Sequence, residues 1–169
     1  MDDYSPAAKA STAWTRAELN AENRSYLELL PGGPFAYEGV DLVHGSPADE
    51  DDYLVTLSDV SMARASLGAA LTFFGHTHIQ GGFLLGRAGV KRIVPRERME
   101  VESDYQFLIN PGSVGQPRDG NWRAAYALYS PVERAVEFRR VAYNVDRAAA
   151  KIRAAGLPDF LAARLFEGK

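Results

Sequence analysis

The sequence contains no cysteine, and it lacks other features that mark particular protein classes. With no cysteine among 169 residues, disulfide scaffolds, thiol catalysis and cysteine-ligated zinc or iron–sulfur sites are excluded. There is no excess of positive charge either, because 19 Lys and Arg face 22 Asp and Glu and give a net charge of −3. This balance gives no strong nucleic-acid signal and no electrostatic reason to expect an anionic membrane as a partner.

Long apolar runs are also missing from the chain. No stretch approaches the ~20 apolar residues of a membrane helix, and the N-terminal segment MDDYSPAAKA is acidic and polar, unlike a signal peptide. The default expectation is therefore a cytoplasmic protein with no membrane partner. At 46% hydrophobic residues, a chain of this length is expected to bury a core, and we predict a single domain over residues 1–169.

The local pattern predicts helices at both ends of the chain and strands between them. Ser5 and Asn20 are good caps for two N-terminal helices, and Ser58 is predicted to cap a third that runs to about Ala70. A hairpin is predicted around the Glu38-Gly39 turn. Further strands are predicted at residues 71–75, 80–85, 90–94, 105–109, 123–130 and 135–141, and C-terminal helices at residues 145–155 and 158–166. The pattern indicates an α/β (α+β layered) fold with sheets covered by helices.

All three histidines lie in glycine-containing segments at predicted ends of apolar strands. They are found in Val43-His44-Gly45 and in Gly75-His76-Thr77-His78. A single histidine in such a place is usually structural, but three in this context favour metal binding, because a strand aims the ring and glycine lets an ion approach. Neutral imidazole suits zinc, manganese, iron and nickel alike. A Ser-His-Asp triad is disfavoured, since no G-x-S-x-G segment is present.

Two loops have both an ordinary interpretation and a functional one. The loop INPGSVGQPRDG, residues 109–120, is either a simple connection or an anion-binding loop, in which Arg118 supplies a guanidinium for phosphate. Asn110 and Ser113 are further candidates for that contact. The acidic loop SPADEDD, residues 46–52, is more simply a solvated surface segment than a set of metal carboxylates.

The segments LVHGSP, FFGHTH and LINPGSVGQPRDG, in this order and spacing, resemble the calcineurin-like metallophosphoesterase superfamily, in particular its small bacterial phosphodiesterase branch. The likeness extends to ASTAWTRAELN and RAAYALYS, and so along nearly the whole chain. It implies an αββα sandwich that binds two divalent metal ions (Mn, Zn, Fe or Ni) and hydrolyses phosphoester bonds of a small-molecule substrate. It also implies that His44 and His76 bind one metal ion and His78 the other.

The chain departs from the family pattern in its first part. The Asp-x-His, Gly-Asp and Gly-Asn-His-Asp/Glu motifs of the family are absent, so the bridging aspartate is missing and no histidine remains as general acid. We therefore assign no catalytic residue and expect the chain to be the C-terminal part of such a domain, incomplete at the N-terminus, with exposed apolar surface and unpaired strand edges.

Three functions follow from the resemblance and its gaps. The chain is part of a dinuclear phosphoester hydrolase, or an inactive metal-binding or interaction module, or a hydrolase with one metal ion held by three histidines. An inactive module would pair with a separately encoded N-terminal half or form a homo-oligomer.

Overall fold

The computed structural model describes residues 5–169, which form a mixed α/β fold. Its helices are α1 (Pro6–Glu18), α2 (Ala21–Glu28), α3 (Leu57–Ala63), α4 (Val145–Ala154) and α5 (Asp159–Glu167). Its strands are β1 (Phe35–Tyr37), β2 (Val40–Leu42), β3 (Leu71–Phe73), β4 (Gly81–Gly86), β5 (Gly89–Ile93), β6 (Arg98–Glu100), β7 (Gln106–Asn110), β8 (Ala124–Ser130) and β9 (Ala135–Val141). The predicted α/β fold class is confirmed. No helix within residues 5–169 is long and apolar enough to cross a membrane.

The described residues form two compact units, and the first is helical. It combines residues 5–31 with residues 143–167 and contains α1, α2, α4 and α5. Both predicted N-terminal caps are present, because the Ser5 hydroxyl accepts a hydrogen bond from the Ala8 amide (3.2 Å) and Asn20 Oδ1 accepts one from the Asn23 amide (2.8 Å). Capping of this kind satisfies amides that the first helical turn leaves without a partner.

The second unit contains both sheets and α3. It comprises residues 32–142 with residues 168–169. The larger sheet has the strand order β1-β2-β3-β7-β4-β5, and the smaller, antiparallel sheet has the order β6-β9-β8. Strands β2, β3 and β7 are parallel neighbours. Their carboxyl ends therefore meet at one edge of the larger sheet, where ligand sites of open α/β sheets form.

The side chains of the central strand β7 alternate between two separate hydrophobic cores. Phe107 and Ile109 pack in a core that also holds Val136 and Phe138 of β9. Leu108, between them, packs on the opposite side in a second core whose other buried members are Leu54, Val60, Phe74, Phe83 and Leu85. Because successive strand residues point to opposite faces, β7 is buried on both sides and forms a rigid support for the loop that follows it.

The sequence prediction is wrong for helix α3, at both of its ends, and it omits strand β6. The cap of α3 is Thr56 and not Ser58, because Thr56 and Asp59 form a reciprocal capping box. The helix also ends before Ala70, since a 3₁₀ turn (Arg64–Ser66) follows it directly. Strand β6 was not predicted, because its sequence Arg-Met-Glu lacks the apolar alternation of a recognisable strand.

Candidate functional site

The carboxyl ends of three neighbouring parallel strands bring together most of the residues selected from the sequence. His44 follows β2, His76 follows β3, and Asn110 ends β7. The sheet pairing continues past the strands, because the Val43 amide donates to the Phe73 carbonyl (2.9 Å) and the Gly75 amide donates to the His44 carbonyl (2.8 Å). The backbone thus fixes the histidine segments side by side.

His44 and His76 are in direct contact. His76 Nδ1 and His44 Nε2 lie 2.8 Å apart, a hydrogen-bond distance, and the ring centroids are 4.7 Å apart in an edge-to-face arrangement. Tyr53 also packs against His76, with its ring centroid 3.9 Å away. The His76 ring therefore contacts both an aromatic side chain and a second imidazole.

The surroundings of His76 favour its neutral form. Burial lowers the pKa of His76 below its ordinary 6.5, and the nearby His44 lowers it further. Asp51 opposes this shift, and His78 and Arg118 add smaller lowering effects. His76 Nε2 is buried and has no hydrogen-bond partner. A neutral imidazole with an unsatisfied ring nitrogen is suited to bind a metal ion or to form a hydrogen bond.

His76 and His78 both have backbone conformations that favour glycine, with φ angles of 58° and 59°. His78 Nδ1 lies 2.8 Å from the Gln116 carbonyl oxygen. A carbonyl oxygen only accepts, so Nδ1 of His78 carries a hydrogen. This is how metal-binding histidines are commonly oriented by a backbone carbonyl.

Asn110 links the two loops that follow β3 and β7. Its Nδ2 donates to the Gly75 carbonyl (2.8 Å) and to the Thr77 hydroxyl (2.9 Å), and its Oδ1 accepts from the Gly112 amide (2.8 Å). With 1% of its surface exposed, Asn110 holds the histidine loop in the structure. Its direct contact with phosphate stays a prediction.

Ser113 and Arg118 lie on the loop after β7. The Ser113 hydroxyl accepts from the Gln116 amide (2.9 Å), and Arg118 Nη2 donates to Gln116 Oε1 (3.1 Å). Arg118 Nε is buried without a hydrogen-bond partner. Because the Arg118 charge also acts on His76, the structure places this guanidinium in the electrostatic range of the histidines.

The acidic loop, residues 46–52, closes over the glycine that follows His44. A Cβ atom at Gly45 would lie 2.6 Å from the Glu50 carbonyl oxygen and 2.7 Å from that of Asp52, so no larger residue fits there without a shift. The loop is tied by the Ser46 hydroxyl, which donates to the Asp52 carboxylate (2.6 Å). A cavity of about 360 Å³ lies between this loop and His44.

Sequence analysis missed several residues that shape the site. Tyr53 does not belong to a recognisable sequence motif. Gln116 contacts His78 through its backbone carbonyl, so the identity of its side chain does not predict the contact. A buried network of Gln80, Asp119 and Arg140 behind the loops was also missed. Asp119 and Arg140 are 21 residues apart in sequence, so only the fold brings them together.

The donor chemistry fits a divalent metal ion, but the described residues supply an incomplete set of ligands. His76 Nε2 is an unsatisfied buried nitrogen, and the Gln116 carbonyl orients the His78 ring, as backbone carbonyls commonly do for metal-binding histidines. Within residues 5–169, however, no group of three or more His, Asp or Glu side chains is arranged to hold one ion.

Comparison with known proteins identifies relatives along the whole chain. No family model matches the sequence. The uncharacterized protein MJ0912 of Methanocaldococcus jannaschii is 30% identical over 172 residues, which cover 100% of this chain and 69% of that protein. The hypothetical protein PH1004 of Pyrococcus horikoshii shares the fold, with a TM-score of 0.76 at 20% identity over 99% of this chain and 62% of that one.

A third relative has a named activity class. The crystal structure of a metallophosphoesterase from Sphaerobacter thermophilus is similar to this chain with a TM-score of 0.83 and 34% identity. The match covers 100% of this chain and 70% of that one. On this likeness in sequence and structure, the chain belongs to the metallophosphoesterase family.

Proposed function

We propose that this chain carries part of the site of a metal-dependent phosphoester hydrolase of the phosphodiesterase or phosphatase type. The observation that carries the proposal is the His44–His76 pair at the carboxyl edge of the sheet, with Nε2 of His76 buried and unsatisfied. His44, His76 and His78 are the proposed ligands of two divalent ions such as Mn²⁺, Zn²⁺, Fe²⁺ or Ni²⁺. Family membership supports the reaction class.

Each proposed residue has a role that its surroundings support. Bound divalent ions would lower the pKa of a water molecule and neutralise charge on the phosphoryl oxygens. His76, whose neutral form is favoured, and His78, whose ring is oriented by a carbonyl, would supply nitrogen ligands, and Arg118 offers a charged donor for a phosphate oxygen. Asn110 and Ser113 hold the loop that carries Arg118, and the cavity beside His44 gives room for a substrate.

Hydrolysis of bis-p-nitrophenyl phosphate with added Mn²⁺ tests this proposal in a chimera that joins this chain to the part of the Sphaerobacter thermophilus metallophosphoesterase that the match does not cover. We expect turnover that is abolished by His76→Ala and by His78→Ala. Arg118→Ala is expected to raise KM about 10-fold, because a charge-assisted hydrogen bond to phosphate is worth about 1.5–3 kcal/mol. Arg96→Ala, which removes an exposed arginine of the β5–β6 connection, is the matched control. Turnover that persists in both histidine variants contradicts the proposal.

A second candidate is an inactive module that binds metal or a partner without hydrolysis. The incomplete ligand set favours it, because within residues 5–169 no group of three or more His, Asp or Glu side chains is arranged to hold one ion. The same assay separates the two functions when it is combined with a metal titration. The protein would be an inactive metal-binding module if His76→Ala abolishes Zn²⁺ binding and no added metal ion supports hydrolysis of the substrate.

A further inference from the structure

Arg140 of β9 is the centre of a partly buried polar network that joins the loop after β3 to the loop after β7. Its Nε donates to Gln80 Oε1 (2.9 Å), and its Nη1 donates to the Asn121 and Arg123 carbonyls (3.2 Å each). Its Nη2 forms an ion pair with the Asp119 carboxylate. The side chains of Arg140 and Asp119 are 19% and 14% exposed, so this pair is shielded from water and sensitive to the loss of either partner.

Gln80 extends the network to the histidine loop. Its backbone amide donates to Asp119 Oδ2 (3.0 Å). Its side-chain Nε2 lies 3.2 Å from each of the Pro111, Tyr126 and Arg139 carbonyl oxygens. With 7% of its surface exposed, Gln80 joins the loop after β3 to the loop after β7 and to the smaller sheet.

The network lies directly beside the contacts that orient His78. Gln80 is two residues beyond His78, and Asp119 follows Arg118. Between these points the Arg118 amide donates to the His78 carbonyl (3.2 Å), and the His78 ring donates to the Gln116 carbonyl. The two loops therefore run side by side, joined at the ring of His78 and again at the network.

We infer that Arg140, with Asp119 and Gln80, positions the His78 imidazole. The network fixes the loop that carries His78 against the loop that carries the Gln116 carbonyl. That carbonyl then keeps a hydrogen on Nδ1 and sets the orientation of the ring. All three act through the loops that carry His78 and Gln116, so all are positioning residues. The orientation of the ring follows from geometry, while its use as a metal ligand rests on the proposed function.

The test compares two lysine substitutions on one strand. Arg140→Lys keeps the charge but cannot reach all of the acceptors that the guanidinium joins. Arg139→Lys is the matched control, because the Arg139 guanidinium pairs with Glu137 and Glu97 in the smaller-sheet region. Long-range ¹⁵N–¹H correlation spectra of the imidazole rings report which nitrogen carries the hydrogen. We expect the Nδ1–H form of His78 in the native protein and in Arg139→Lys, and a mixture of both forms in Arg140→Lys.

Zn²⁺ titration by calorimetry gives a second readout. Arg140→Lys should weaken Zn²⁺ binding about 10-fold, in the range for loss of groups that orient a metal ligand, while Arg139→Lys leaves it within about 2-fold. If Arg140→Lys does not fold by circular dichroism, Asp119→Asn, which keeps the side-chain shape, carries the same test. An unchanged His78 spectrum in a folded variant overturns the positioning role. Absence of Zn²⁺ binding by the native protein instead overturns the proposed function, and the imidazole spectra still decide the positioning role.

Discussion

Two histidines separated by a single residue have left-handed backbone conformations that would suit glycine better. Such a conformation costs about 1–3 kcal/mol for a residue with a side chain, and both His76 and His78 adopt it. Asn110 offsets part of this cost, because its amide bonds the Gly75 carbonyl and the Thr77 hydroxyl on either side of His76. Glycine would relieve the strain at these two positions, but it would also remove the imidazole rings that the proposed site needs.

The close packing at Gly45 can be tested by adding one methyl group. Gly45→Ala should destabilise the fold by about 1–3 kcal/mol, the usual cost of overpacking, because the new Cβ meets the carbonyl oxygens of the acidic loop at 2.6–2.8 Å. Gly115→Ala is the control, since a Cβ there meets nothing within 4 Å. Urea unfolding of both variants measures the difference. Equal stabilities would show that the acidic loop does not close on Gly45.

Among the elements, α3 shows what a short helix gains from its cap. Hydrogen bonds from the Thr56 amide, the Thr56 hydroxyl and the Val55 amide lower the pKa of Asp59 below its ordinary 3.8. The unfolded chain therefore takes up this proton at a higher pH than the folded chain does. The stability that Asp59 contributes is present above about pH 4 and is lost as the pH falls through the lowered pKa.

Asp59→Ala should therefore lower the free energy of unfolding by about 1 kcal/mol at pH 7, with a difference that shrinks as the pH falls below about 4. Ser58→Ala is the control, because the cap is formed by Thr56 and not by Ser58. Denaturant unfolding at several pH values checks both variants. A larger loss for Ser58→Ala than for Asp59→Ala would restore the original cap prediction and contradict the structure.

The elements also show where sequence patterns stop being informative. His44 and His76 could be placed at strand ends, because apolar runs before glycine mark buried strands. The α3 boundary was misplaced because Thr56 and Ser58 are both good caps and only the partner Asp59 selects the first. The contact between Arg140 and Gln80 spans 60 residues, so no local pattern could reveal it.

At the scale of the whole molecule, the sheet layout determines where the site lies. The central strand β7 is buried on both faces, with Phe107 and Leu108 in different cores, so the edge beyond it is held rigidly. Three parallel strands end at that edge and carry His44, His76 and Asn110. The chain covers 69–70% of the lengths of two of its relatives, and the site described here contains only the ligands that this part of the family fold supplies.

Calorimetric titration of Zn²⁺ into the native protein, His76→Ala and the Arg96→Ala control tests most directly whether these histidines form a metal site. We predict saturable binding to the native protein and to Arg96→Ala, and an affinity reduced by about 100-fold or more in His76→Ala, since loss of a ligand exceeds the 10–100-fold effect of losing a group that orients one. Binding that is equal in all three proteins, or absent from all three, would contradict a metal site built on these histidines.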